Sequence, residues 1–354
     1  MIKANQNKFT LPLVNFSSFS SSDSNTSETQ ITTANLIHQL NCEHGFVCLR
    51  NSGIQKATIE KAFALSQQLF DLPLDYKIHH LKQNDPQTNT GYTPLGKEAL
   101  NKARASDLKE AFNMKNTSIS NGDLEGTPAD FHDSSIQLWN ELSILTNKYA
   151  KCCALALGLP LDYFSKTIES MDLCTMRMLH YPPCKSESVE LDSKCAIRVG
   201  EHTDFGAYTF LFIRNIHDAS SLGLQVKAIE GGDFNEVKDS DRDIGWSDVV
   251  FDEEALQMID DDETSAVIVN TGALMARWTN DIWRATAHRV VVAPEAFSLD
   301  RYSIAMFIDP DCETLCSVHP KFVKDGEEPK YSPVKSIDYL LMKLREVQCM
   351  KKEK

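Results

Sequence analysis

The feature that most constrains the fold is a change of texture near Met171. From there, short β-rich runs follow one another at 175–181, 208–213, 222–226, 266–270, 289–292 and 302–308, separated by Gly, Pro, Asn or Asp. Runs this short stay marginal until several pack together, so the pattern predicts a sandwich or barrel. The preceding part reads differently. Helical spacing covers 33–42, 56–70 and 135–157, the last closed by Gly158 and Pro160. Residues 11–16 and 46–49 read as short strands, and the Ser-rich 17–28 as a loop. The expected organisation is a helical N-terminal region over 1–170 packed on a β core at 171–335, with a closing helix in 336–354. No internal repeat is present.

Charge narrows the partners. The chain has 36 Lys+Arg against 50 Asp+Glu, a formal net charge of −14. That balance argues against wholesale nucleic-acid binding and against docking on an anionic membrane, both of which need a basic face. Residues 229–263 hold 14 acidic and two basic side chains, −12 of the −14, so the acidity reads as a solvated insertion in the β core. Within it Asp239, Asp241 and Asp243 resemble the start of a calcium loop, but Ile244 stands where that loop needs Gly and Val250 where it needs Glu. There is no apolar run of spanning length and no apolar segment in the first ten residues. The ten Cys form no Cys-x-x-Cys pair. The expectation is a cytoplasmic protein with reduced thiols and a small-molecule partner, with no nucleic acid and no membrane; its oligomeric state is not legible.

Two histidines stand in a suggestive context. His202-Thr203-Asp204 precedes the run at 208–213, and His288 opens the run at 289–292. Two imidazoles and one carboxylate on one face form the facial triad of non-haem iron(II) oxygenases, which leaves three positions open. Residues two apart on a strand share a face, so His202 and Asp204 are expected to point the same way. Arg301 and Ser303 are also two apart. A guanidinium beside a hydroxyl in an interior suits a carboxylate, because the planar fork binds it bidentately. Arg177 lies four residues before Tyr181 on one run, so the two share a face, and Arg177 is a candidate for a substrate carboxylate or carbonyl.

These residues sit in a longer series of ordered matches. They include Asn89-Thr90-Gly91-Tyr92-Thr93-Pro94, Asp107-Leu108-Lys109-Glu110, Arg177-Met178-Leu179-His180-Tyr181-Pro182, and Gly200-Glu201-His202-Thr203-Asp204-Phe205-Gly206. Further on come Val269-Asn270-Thr271-Gly272, Ala276-Arg277-Trp278-Thr279-Asn280-Asp281, His288-Arg289-Val290 and Arg301-Tyr302-Ser303. With them the chain resembles the iron(II)/2-oxoglutarate dioxygenases of the isopenicillin N synthase-like class, nearest the thymine hydroxylase branch. The resemblance implies a mainly β fold with flanking helices, a distorted double-stranded β-helix or jelly roll. It implies Fe(II), 2-oxoglutarate and O2 as cofactor and co-substrates. His202, Asp204 and His288 would be the catalytic iron ligands. Arg301 and Ser303 would hold the distal carboxylate of 2-oxoglutarate, and Tyr181 matches a tyrosine that often also touches this co-substrate. An Arg-x-Ser pair serves other carboxylates elsewhere in the class; 2-oxoglutarate is expected because this branch uses it.

Tyr92 and Trp278 match positions often near the substrate, and join Arg177 as substrate-binding candidates. The expected reaction is oxidation of an unactivated C–H bond of a small anionic metabolite, by hydroxylation or oxidative cyclisation, for example of a kainoid-type precursor in specialised metabolism. Thymine-type nucleobase hydroxylation and a catalytically silent ligand-binding relative are the alternatives. Two departures stand out: Leu179 where many relatives have Asn, and Gly272-Ala273 where many have Gly-Asp.

Overall fold

Each β-rich run after residue 171 forms a strand in the computed structural model, with small shifts at the ends. The structure describes residues 8–19, 26–85, 87–101, 106–120, 124–183, 191–192, 195–216, 222–227, 245–292 and 296–348. In chain order the strands of the two larger sheets are β1 (Lys8–Thr10), β2 (Leu13–Asn15), β3 (Phe46–Arg50), β4 (Gly91–Thr93), β5 (Glu110–Met114), β6 (Thr175–Tyr181), β7 (Leu191–Asp192), β8 (Cys195–His202), β9 (Tyr208–Ile213), β10 (Leu224–Lys227), β11 (Trp246–Val250), β12 (Val267–Thr271), β13 (His288–Val292) and β14 (Arg301–Ile308). The helices are α1 (Glu28–Glu43), α2 (Lys56–Phe70), α3 (Leu74–His80), α4 (Asn116–Ser120), α5 (Phe131–Ala156), α6 (Glu253–Asp261), α7 (Ala273–Trp278) and α8 (Ser336–Gln348).

The strands form two larger sheets, ordered β2-β3-β12-β9-β14-β6-β5-β4 and β1-β11-β10-β13-β8-β7. Together they make the jelly roll, and strands from both halves of the chain share the larger sheet.

Side-chain alternation gives that larger sheet two distinct faces. On β6 and β14 the even positions, Met176, Met178, Ile304 and Met306, join the main core with Leu138, Leu142 and Leu145 of α5 and Ile59 and Phe63 of α2. The odd positions turn inward. Leu179, Tyr181 and Ala305 pack there with Val199 of β8 and Val290 of β13, from the smaller sheet. A second inner cluster joins Phe46, Cys48 and Ile268 to Leu224, Val226 and Val249. Leu211 packs against both inner clusters.

The acidic stretch is only partly described, and Asp239, Asp241 and Asp243 lie outside the described residues. Its later part is built into the fold. β11 pairs with β10 and, in parallel, with β1. Asp252 caps α6 by accepting from the Ala255 amide at 2.7 Å. Asp262 takes a two-point hydrogen bond from Arg50 at 2.6 and 2.9 Å. Among the described residues, no helix is long and apolar enough to cross a membrane.

Candidate active site

β8 ends at His202 and pairs with β13, where His288 is the direct cross-strand partner of His202. Their ring centroids lie 4.3 Å apart. Asp204 comes from the turn beyond β8 rather than from the strand, which corrects the expectation of two residues on one strand face. That turn is docked on the larger sheet. The Ala273 amide donates to the Asp204 carbonyl at 2.7 Å, and the Gly272 amide to the Ala207 carbonyl at 2.9 Å. The approach leaves no room for a side chain at Gly272, where a Cβ would overlap the Gly206 carbonyl oxygen. The result brings Asp204 Oδ1 to 3.8 Å from His202 Nε2 and 3.7 Å from His288 Nε2. Ligand atoms of the three side chains all lie within 4.8 Å of one another.

The hydrogen bonds around this group fit a divalent metal. His202 Nδ1 lies 2.9 Å from the Gly200 carbonyl, and His288 Nδ1 3.1 Å from the Thr286 carbonyl. A carbonyl can only accept, so each Nδ1 carries the proton and each Nε2 presents a lone pair to the centre. Asp204 Oδ2 accepts from Thr209 Oγ1 at 2.6 Å and from Asn270 Nδ2 at 2.7 Å, which turns Oδ1 toward the imidazoles. Burial, and next the neighbouring His288, pull His202 down to about 4, so its imidazole is neutral at physiological pH. Burial pushes the Asp204 carboxyl up, but His288, His202 and the Thr209 and Asn270 hydrogen bonds outweigh it and hold it below its usual value. Two imidazoles and a carboxylate are the donor set such a metal takes.

Arg301 and Ser303 face inward on β14, both buried. The Arg301 guanidinium lies 4.7 Å from the centre of the Tyr181 ring, donates to the Leu222 carbonyl, and reaches Ser303 Oγ at 3.4 Å. Burial pulls this guanidinium below its usual value. A buried cation with hydroxyls beside it suits a carboxylate guest.

The three substrate candidates fare differently. Arg177 shares the inner face with Tyr181, but its guanidinium is ion-paired with Glu98. Tyr92 does not face the site. It pairs across β4 and β5 with Phe112, on the helix-facing side, and donates to Glu110 at 2.5 Å. Trp278 sits at the end of α7, edge-on to Phe164 with centroids 5.1 Å apart, in the main core. Both corrections have one cause: alternation and helix phase assign these rings to the outer face, where aromatic area is buried against helices. Leu179 faces inward in the apolar cluster with Tyr181.

Several functional neighbours carry no spacing signal in the sequence. Thr209 and Asn270 are the holders of Asp204, and Glu98 pairs with both Arg177 and Lys109. A polar Asn closing the apolar run at 266–270 is the one available clue, because a buried amide needs a partner.

Comparison with known proteins agrees with the geometry. The family described as the non-haem dioxygenase in morphine synthesis N-terminal region matches residues 11–137, and the 2OG-Fe(II) oxygenase superfamily matches 173–310. The 2-oxoglutarate-Fe(II) type oxidoreductase ppzD of Metarhizium rileyi is 28% identical over 320 residues, covering 85% of this chain and 81% of that protein. A second oxidoreductase of that description, hxnY of Emericella nidulans, is 28% identical over 342 residues, covering 91% and 86%. The crystal structure of the full-length thymine-7-hydroxylase of Neurospora crassa in complex with alpha-KG (2-oxoglutarate) superposes with a TM-score of 0.74 at 29% identity, covering 94% of this chain and 95% of that one. The same neighbour is known with thymine and with 5-formyluracil.

Proposed function

The chain belongs to the 2-oxoglutarate–iron(II) oxygenase superfamily, and from that premise we propose that it oxidises an unactivated C–H bond of a small polar metabolite at a centre held by His202, Asp204 and His288. One observation carries the assignment. Each imidazole commits Nδ1 to a carbonyl and Asp204 commits Oδ2 to Thr209 and Asn270, so the remaining ligand atoms converge on one point. When bound there, iron(II) and 2-oxoglutarate supply oxidative decarboxylation to succinate and the O2-derived oxidising power for the C–H bond.

The chain's own residues do positional work. The two carbonyl acceptors fix the histidine tautomers, and the Thr209–Asn270 pair fixes the carboxylate. In this reading Arg301, Ser303 and Tyr181 hold the distal carboxylate of 2-oxoglutarate, and the apolar cluster of Leu179, Val199, Val290 and Ala305 keeps water from the reacting atoms. Arg177 meets the substrate. An anionic, kainoid-type substrate would need a guanidinium that Glu98 already neutralises, whereas the thymine and 5-formyluracil bound by the Neurospora neighbour favour a compact uncharged type.

The test is direct. His202→Ala and His288→Ala should each abolish iron-dependent succinate formation from 2-oxoglutarate. Full turnover in either variant would overturn the ligand assignment.

A further inference from the structure

Beside the metal centre lies a group of four charged residues built around Arg177. Glu98 Oε2 is ion-paired with Arg177 and lies 3.3 Å from Lys109 Nζ, and Lys109 is in turn ion-paired with Asp107. Lys109 and Asp107 are each 3% exposed, so their charges are fixed inside the fold. Burial pushes the Glu98 carboxyl up, but Arg177 and Lys109 outweigh it and hold it down at about 2. Two cations and two anions therefore cancel, and the group is neutral as a whole.

Its position is set by register. Arg177 pairs with Ala305, which pairs with Leu211, so these three occupy one row across the inner face. The next row along carries Thr209, the residue that holds Asp204. Arg301 lies four residues from Ala305, about 13 Å along the strand at 3.3 Å per residue. Arg177 thus stands at the level of the metal ligands, well away from the Arg301 end. The acidic side is tied to the same place. The Asp107 carboxylate accepts from the Gly200 amide at 3.3 Å, two residues before His202, and the Leu108 amide donates to the Arg198 carbonyl at 2.8 Å.

The contacts leave a particular pair of atoms available. Arg177 meets Glu98 through Nη2, and Glu98 meets both cations through Oε2. Among the described residues, Arg177 Nε is buried with no hydrogen-bond partner, no hydrogen bond reaches Arg177 Nη1 or Glu98 Oε1, and the Glu98 side chain keeps 24% of its surface exposed. One ion pair thus keeps a donor and an acceptor that its two members do not spend on each other. A carbonyl and an N–H close together on one substrate could answer both.

We propose that Glu98 is a specificity-determining residue: paired with Arg177, it selects an uncharged substrate carrying an adjacent C=O and N–H, such as a lactam, cyclic imide or ureide, and rejects carboxylates. The inference rests on the proposed function and gives it a substrate class. A carboxylate placed here meets a neutral group instead of a free cation, and stands against Glu98. Replacing Glu98 by Gln keeps the shape and removes one negative charge, so the group becomes net positive.

The test is calorimetric, under argon, with the full chain. 2-Oxoglutarate is titrated first into the iron(II)-loaded protein; no uptake there would overturn the proposed function itself. Uncharged probes, thymine and 2-piperidone, are then compared with anionic counterparts, uracil-5-acetate and cyclohexanecarboxylate. We expect the native protein to bind at least one uncharged probe about tenfold or more tightly than its anionic counterpart, the scale of a hydrogen bond to a charged group. Glu98→Gln should lose or invert that preference, and Glu98→Asp, which keeps the charge, should retain it. Equal or tighter binding of the anions by the native protein would overturn the proposal. So would a preference unchanged in Glu98→Gln, or 2-oxoglutarate uptake with no binding of any of the four probes.

Discussion

At the scale of single residues, the centre depends on how Asp204 divides its two oxygens. Oδ2 accepts from Thr209 and Asn270, and Oδ1 faces the imidazoles. Asn270→Ala removes one of these donors and frees the carboxylate to rotate. Loss of an outer hydrogen bond of this kind typically weakens metal binding about 10–100-fold. We therefore expect Asn270→Ala to show that loss in an iron(II) titration, with unfolding little changed. An unaltered iron affinity would mean that Thr209 alone orients the carboxylate. The triad itself was legible in the sequence, because His202 and Asp204 are close together and His288 and Arg301 open recognisable runs. Its supports were not. Asn270 and Asp204 are far apart along the chain and meet only because β12 lies beside β9.

At the scale of elements, the decisive part is the turn that follows β8. It leaves the smaller sheet at His202 and lands on the larger one at Gly272, so one short segment bridges both layers. Gly272 adopts ordinary backbone angles, with φ −91°; the requirement there is space, because the Gly206 carbonyl occupies the place of a Cβ. Gly272→Ala must push that carbonyl away and carry Asp204 with it. The expected outcome is weaker iron binding and a lower kcat, with circular dichroism still showing a folded protein. A variant with native iron affinity would show that the turn can slide without moving its carboxylate. The strands were readable because period-two alternation is a local signal. The assignment of rings to faces was not, since moving a residue by one position exchanges inside for outside. Tyr92 fell on the outer face for that reason, and Trp278 was placed by the phase of α7.

At the scale of the whole molecule, the outer face carries a second buried polar group. Glu110 accepts from Lys77 Nζ at 2.8 Å and Tyr92 at 2.5 Å, and its other oxygen lies 2.8 Å from His180 Nδ1. His180 in turn lies 2.6 Å from Asp300. The group ties α3 to β4, β5 and β6, and so joins the helical layer to the sheet. Burial pushes the Glu110 carboxyl up, but hydrogen bonds from His180, Lys77 and Tyr92 hold it below its ordinary 4.5. A carboxyl depressed in the folded state adds stability above its unfolded value, and that stability is lost as pH falls through the folded one. The melting temperature should therefore decline as pH drops below 4.5, and Lys77→Met should flatten part of that decline. Removing one partner of a buried pair costs about 3–5 kcal/mol, so the same variant should also melt lower at neutral pH. Denaturant unfolding at several pH values checks both. A variant of native stability would mean that His180 and Tyr92 suffice for Glu110.

The parallel pairing of β1 with β11, which sets Lys8 opposite Asp248, bears on how the chain reaches this state. β1 must wait for a strand made much later in synthesis, so the smaller sheet cannot close until β11 has been made. Contacts this distant in sequence are slow to form. During that interval β1 is an unpaired edge, and its Lys8 and Thr10 are the kind of polar residues that discourage a wrong partner from docking on it.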